Sequence, residues 1–146
     1  MRYFEITKDY QNKSINIPKR QTQSSAGYDL EAAETITIPP QSIKLIPTGL
    51  KVYLPENEAL FVFPRSSLGI KKGLMMSNGV GVIDADYYNN KDNEGHIMVP
   101  LYNFTHNPVT INKGERVAQG IFMSYLKTKD DQADGITRLG GFGSSG

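Results

Sequence analysis

The chain has no cysteine among its 146 residues, only two histidines, no long apolar run and a formal net charge of just +1. Without cysteine there is no disulfide, no thiolate-held metal and no cysteine nucleophile, a pattern that fits a cytoplasmic protein. The longest apolar run near the middle, Ala59-Leu60-Phe61-Val62-Phe63, falls far short of the roughly 20 residues a membrane helix needs. The N-terminus, Met1-Arg2-Tyr3-Phe4-Glu5, lacks the apolar core of a signal peptide. No membrane partner is expected. Near-neutral charge provides no global field to draw nucleic acid, and Lys71-Lys72 is too small a cluster for a nucleic-acid footprint. Any anion site must therefore be local. His96 opens a strand signal and His106 sits in a turn beside Asn107-Pro108. Neither has a second ligand at metal spacing, so both are expected at the surface or at a strand edge.

What the chain does contain is a series of short β-type runs punctuated by Gly, Pro and Asn. Thr35 to Ile38, Ile43 to Ile46, Leu50 to Leu54 and Ala59 to Phe63 each end at a proline. His96 to Asn103, Val109 to Ile111 and Arg116 to Leu126 follow. Strands at this spacing predict one all-β domain, a sandwich or closed barrel. A sustained helical period is absent, and the best short-helix candidate is Ser66 to Lys72. Beyond Leu126 the chain turns polar and ends in Arg138-Leu139-Gly140-Gly141-Phe142-Gly143-Ser144-Ser145-Gly146. Residues 1–126 are thus expected to form the domain and 127–146 a linker and mobile C-terminal arm.

Five segments can carry chemistry. Asn78 to Tyr88 places a carboxylate, Asp84, and a ring, Tyr87, just after a Gly-interrupted strand signal. There the acid can take a proton from water while the ring walls a slot, although strand-Asp-Tyr is by itself also a common turn. Ser25-Ala26-Gly27-Tyr28-Asp29-Leu30 puts small residues before an acid that can face a cation; alone, it also reads as a strand start. Pro64-Arg65-Ser66-Ser67-Leu68-Gly69 offers a guanidinium, two hydroxyls and consecutive N–H groups, the donors a polyphosphate needs, and equally a capped turn. Lys113-Gly114-Glu115-Arg116-Val117-Ala118-Gln119-Gly120 is a turn entering a strand, with Gln119 able to donate and accept. The Gly/Ser-rich end reads as a linker except for Phe142, an aromatic that flexible linkers rarely carry.

Together and in this order, the five segments resemble the motifs of the trimeric dUTP pyrophosphatases (dUTPases) along nearly the whole chain. The resemblance implies a jelly-roll β fold, a homotrimer with active sites shared between subunits, and hydrolysis of dUTP to dUMP and pyrophosphate with Mg²⁺. Such an activity keeps uracil out of DNA and supplies dUMP for dTMP synthesis. By position, Asp84 would be the general base for water attacking the α-phosphate. Tyr87 would lie against the deoxyribose and exclude a 2′-hydroxyl. Asn78 and the backbone around Val82, Ile83 and Met98 would read uracil. Arg65, Ser66, Ser67 and Gln119 would hold phosphates, and Asp29 would orient water on the metal. Phe142 would cover the base, with Arg138, Ser144 and Ser145 closing on the phosphates. Arg138 stands one residue nearer Phe142 than the family's arginine usually does, Leu139 replaces a common glycine, and Ser67 stands where glycine is frequent. The 88–95 segment is longer than a minimal hairpin.

Phosphoanhydride hydrolysis suits these residue types, because it asks for charge neutralisation, an aligned water and solvent exclusion rather than a covalent nucleophile. Two other classes stay open. Related dCTP deaminases share the fold but need an acid/base aimed at the ring; zinc deaminases would need cysteine ligands. A nucleotide-gated interaction protein, with residues 88–95 as its surface, leaves room for a regulatory protein partner.

Overall fold

The computed structural model describes residues 1–133 and Gly140. Eleven strands form within the described residues. They are β1 (Tyr3–Ile6), β2 (Tyr28–Glu31), β3 (Ile36–Ile38), β4 (Ile43–Pro47), β5 (Leu50–Tyr53), β6 (Glu58–Pro64), β7 (Leu74–Met76), β8 (Gly81–Ile83), β9 (Met98–Asn103), β10 (Val109–Ile111) and β11 (Arg116–Ser124). All pairings are antiparallel, in a four-stranded sheet β2-β11-β6-β8, a three-stranded sheet β4-β9-β7 and the pairs β1-β5 and β3-β10. One core receives side chains from every sheet: Leu30, Ile38, Ile46, Val52, Leu60, Leu74, Val99, Leu101, Ile111 and Val117 among them. Each large aliphatic group buried there contributes about 1.5–3 kcal/mol over leaving it in water. The architecture is the expected all-β jelly-roll sandwich.

The predicted runs all appear as strands with ends shifted by a residue or two. The short helical candidate appears as well, with Ser66 and Ser67 leading into a π-helical turn over Leu68–Lys72 that ends at Gly73 in the left-handed region. Two strands had no expectation behind them, β1 and β7. In β11 the alternation breaks, because Val117 and Ala118 are both fully buried. A register shift between Arg116 and Ala118 against β2 accounts for this. The extra residue of a bulge turns two successive side chains inward and re-aims those that follow. Gln119 is consequently left half-buried on the face opposite the core.

His96 departs from the surface position expected of it. It is half-buried, and its Nε2 accepts a hydrogen bond from the Gly49 N–H at 2.9 Å. Its ring packs at 5.2 Å from that of Tyr10. Burial pushes its pKa below 6.5. His106 is exposed, as expected.

Candidate active site

Three of the five segments meet at one end of the four-stranded sheet. On β2, Leu30 is buried, so its neighbours Asp29 and Glu31 take the other face. Asp29 lies directly across from Gln119 of β11, and Ala118 lies across from Pro64 at the end of β6. The chain then continues into Arg65, whose Nε is 3.8 Å from Asp29 Oδ1. That separation suits an ion pair but exceeds a hydrogen bond, so the guanidinium keeps its donors for another acceptor. Gly27 packs against Gln119: a Cβ there would come within 3.1 Å of the Gln119 Cβ and 3.2 Å of its Cδ. The glycine thus lets the side chain of Gln119 lie across the start of β2.

Asp29 Oδ2 is buried with no hydrogen-bond partner. A buried carboxylate oxygen left without a donor costs on the order of 1–3 kcal/mol or more, so such atoms normally face water or a cation. Arg65, the ion-pair partner of Asp29, also lines a cleft of about 370 Å³ together with Ser67, Leu68, Lys71, Lys72, Gly114, Glu115 and Arg116. Lys72 is neutralised by Glu115 at 2.8 Å and also donates to the Thr110 carbonyl. Against the opposing effect of burial, the Asn112 N–H donating at 3.0 Å and then Lys72 hold the Glu115 carboxyl below its usual range. Arg65, Lys71 and Arg116 leave the cleft cationic, the local anion site that a chain of net charge +1 requires. Ser66 is exposed and Ser67 half-buried at the start of the helical turn.

The Asn78–Tyr87 segment builds a second, separate cluster. β8 is an edge strand paired on one side with β6, so its other edge carries unpaired backbone donors and acceptors. Val82 is exposed and Ile83 half-buried on it. Asn78 is exposed in the preceding turn, where its carbonyl accepts from the Val80 N–H at 2.8 Å. Asp84 follows β8 in extended conformation, half-buried, and leads into a 3-10 turn over Ala85–Tyr87. Tyr87 is only 5% exposed, and its hydroxyl donates to the His96 carbonyl at 2.7 Å. Met98, two residues beyond His96, opens β9 and is half-buried.

Within the described residues Asp84 and Arg65 lie toward opposite ends of β6. Ile83 pairs with Leu60, whereas Arg65 follows the far end of β6. Leu60 to Arg65 in extended chain spans about 17 Å. Arg138, Phe142, Ser144 and Ser145 lie outside the described residues. Gly140 is buried against Asp92, where a Cβ would stand 2.8 Å from the carboxylate oxygen. Lys71 and Arg116, lining the cationic cleft, were not given a role in the sequence; the signal was there in a basic residue just after the Pro64–Gly69 segment and another inside the Lys113–Gly120 segment. Among the described residues no group of three or more His, Asp or Glu could hold a metal by itself. No described helix is long and apolar enough to cross a membrane.

A family model described as dUTPase matches residues 13–146. The deoxyuridine 5'-triphosphate nucleotidohydrolase of Lactococcus lactis subsp. lactis (strain IL1403) is 55% identical over 147 residues, covering 100% of this chain and 98% of that protein. That of Rickettsia prowazekii (strain Madrid E) is 40% identical over 145 residues, covering 95% and 94%. Among solved structures, the crystal structure of dUTPase from Streptococcus mutans superposes with a TM-score of 0.84 at 48% identity, covering 87% of this chain and 98% of that one. The dUTPase from phage phi11 of S. aureus gives 0.74 at 20% identity over 93% and 97%, a likeness of fold alone.

Proposed function

The chain belongs to the dUTPase family, and on that premise we propose that it hydrolyses dUTP to dUMP and pyrophosphate, keeping uracil out of DNA and supplying dUMP for dTMP synthesis. The observation that carries this reading into the geometry is the cationic cleft beside Arg65, Gln119 and the unpartnered oxygen of Asp29. It offers a triphosphate charge neutralisation from fixed donors, the main contribution a protein makes to phosphoryl-group chemistry. Arg65, Ser66, Ser67 and Gln119 hold the phosphates. Asn78 and the unpaired edge of β8, with Met98 nearby, read the uracil. Cytosine presents a donor where uracil presents an acceptor, so it would leave those groups mispaired.

Asp84 acts as general base. Water forms a bond to the α-phosphorus, its proton passes to the Asp84 carboxylate, and the bond to the bridging oxygen breaks to release pyrophosphate. Tyr87 walls the sugar against a 2′-hydroxyl. Phe142 covers the base, and Arg138, Ser144 and Ser145 close on the phosphates, with residues 127–146 acting as linker and lid arm to the 1–126 domain.

The donor set fits Mg²⁺ carried by the substrate. Asp29 alone cannot chelate the ion, but its spare oxygen can accept from metal-bound water, and Mg²⁺ keeps several waters when it binds through phosphates. When bound, the ion neutralises phosphate charge and aligns the triphosphate.

The separation of Asp84 and Arg65 supports sites shared between the subunits of a homotrimer. One chain cannot bring both to the same phosphate, whereas a neighbour's β8 turn can meet this chain's cleft. Exposed Ile43, Leu45 and Met75 on the β4-β9-β7 sheet are surface of the kind subunit contacts cover. A cytoplasmic location agrees with the lack of cysteine. Pyrophosphate release with Mg²⁺ from dUTP, dCTP, dTTP and UTP side by side tests the reading. Turnover is expected for dUTP far above the others; comparable turnover of dCTP or UTP would overturn it.

A further inference from the structure

The segment between Tyr87 and His96 is built almost entirely around one side chain. Asn90 Nδ2 donates to the Tyr87 carbonyl at 2.7 Å and to Asn93 Oδ1 at 2.8 Å. Its Oδ1 accepts from the N–H groups of Asp92 and Asn93, both at 3.0 Å. Gly95, at φ +88°, folds back so closely that a Cβ would stand 2.8 Å from the Tyr87 carbonyl. Its N–H donates to Asn93 Oδ1 at 3.1 Å. Lys51 then fastens the loop to β5, donating to Asn89 Oδ1 at 2.6 Å and to Glu94 Oε2 at 2.7 Å. Every one of these contacts leaves Asn93 Nδ2 a single fixed direction, and it donates to the Tyr87 hydroxyl at 2.8 Å.

We infer that Asn93 is a positioning residue for the Tyr87 ring and, through it, a determinant of ribonucleotide rejection. The inference rests on the reading of Tyr87 as the wall against a 2′-hydroxyl. The Cα end of Tyr87 is set by its N–H donating to the Asp84 carbonyl at 3.1 Å. Its far end is pinned by accepting from Asn93 and donating to the His96 carbonyl at 2.7 Å. A wall that must reject one added oxygen works only if it cannot tilt away, and placement to about 0.5 Å comes from supporting hydrogen bonds of this kind. The length of the 88–95 loop is explained on this view: it carries the donor back to the phenol.

The test measures kcat/KM for UTP and for dUTP in wild type, Tyr87→Ala, Tyr87→Phe, Asn93→Ala and the Tyr87→Phe/Asn93→Ala double variant. Asn93→Ala is expected to raise the UTP-to-dUTP ratio on the order of tenfold, within the range one lost contact shifts specificity. Tyr87→Phe, which also loses the bond to the His96 carbonyl, should raise it at least as far, and the double variant should not exceed Tyr87→Phe, since the Asn93 contact is already gone there. If Tyr87→Ala raises the ratio while Asn93→Ala and Tyr87→Phe leave it at the wild-type value, Asn93 does not position the wall and the inference fails alone. If Tyr87→Ala leaves the ratio unchanged, the wall reading fails and takes the inference with it. Should Asn93→Ala not fold, Tyr87→Phe removes both bonds of the hydroxyl at once, and an unchanged ratio there overturns the inference.

Discussion

Asp84 and His96 show how differently single residues announce themselves. Asp84→Asn keeps the shape of a half-buried side chain at the end of β8 but cannot take a proton from water. Its kcat should fall by on the order of 10²–10⁴ with nucleotide binding retained, the usual share of a general base. Single-turnover kinetics beside equilibrium binding checks this, and an unchanged kcat removes Asp84 from the role. Its place at the end of β8, before the turn that carries Tyr87, was legible in the sequence because an acid after a glycine-broken apolar run, followed at three residues by a ring, is a local pattern. His96 was not legible, because its partner is the backbone N–H of Gly49, set opposite it only by the fold. That bond needs an unprotonated Nε2, and burial against Tyr10 disfavours the imidazolium despite the nearby Glu94, Glu34 and Asp9. With its folded pKa below the unfolded value of 6.5, the unfolded chain binds the proton first. Stability from this site is complete above about pH 6.5 and is lost as pH falls through the folded pKa. Denaturant titrations at fixed protein concentration should show wild type weakening just below pH 6.5. His96→Gln should lack that slope, while carboxylates such as Glu94 and Glu115, whose pKa values lie below 4.5, act only at lower pH. Parallel profiles would show that His96 does not titrate in this way.

Between elements, the site depends on how closely β2 and β11 approach. The bulge in β11 turns Gln119 outward, and Gly27 leaves the room it occupies. Gly27→Ala would collide with Gln119 Oε1 and crowd its Cβ and Cδ. The glutamine must move, so kcat/KM for dUTP should drop by about tenfold or more, while thermal unfolding changes little because the collision lies away from the core. A large loss of Tm with kinetics intact would mean that Gly27 serves the fold instead. Strands flanked by proline or asparagine were readable from the sequence to within a residue or two, since those residues end pairing. β1 and β7 were not: with four and three residues each is too short to show an alternation, and each is a strand because β5 or β9 lies ready to pair with it. The 88–95 loop was visible only as extra length. It is held by hydrogen bonds from the side chains of Asn90 and Asn93 and the Gly95 N–H, two of them reaching back to Tyr87, a pattern with no periodicity to detect.

At the scale of the whole molecule, the fold supplies a physical reason for the sites shared between subunits that the motifs led us to expect. Asp84 follows a strand whose last residue pairs with Leu60, and Arg65 lies beyond the opposite end of that same β6. Because β6 is an extended strand in the middle of a sheet, it cannot bend to close a gap of about 17 Å. On the proposed reading the other half comes from a neighbour, and closed cyclic symmetry repeats the arrangement at every contact. Asp84→Asn and Arg65→Ala should each be nearly inactive alone. Unfolded together in equal amounts and refolded, they should form mixed trimers in which a site works only when its Asp84 comes from the Arg65→Ala chain and its Arg65 from the Asp84→Asn chain. Random assembly gives roughly one half for each condition, so about a quarter of sites should recover. Were both residues drawn from one chain, every site would carry one of the two lesions and nothing would recover. Mixed trimers confirmed by mass, with activity no higher than either parent, would therefore overturn the shared site and return the whole reaction to a single chain.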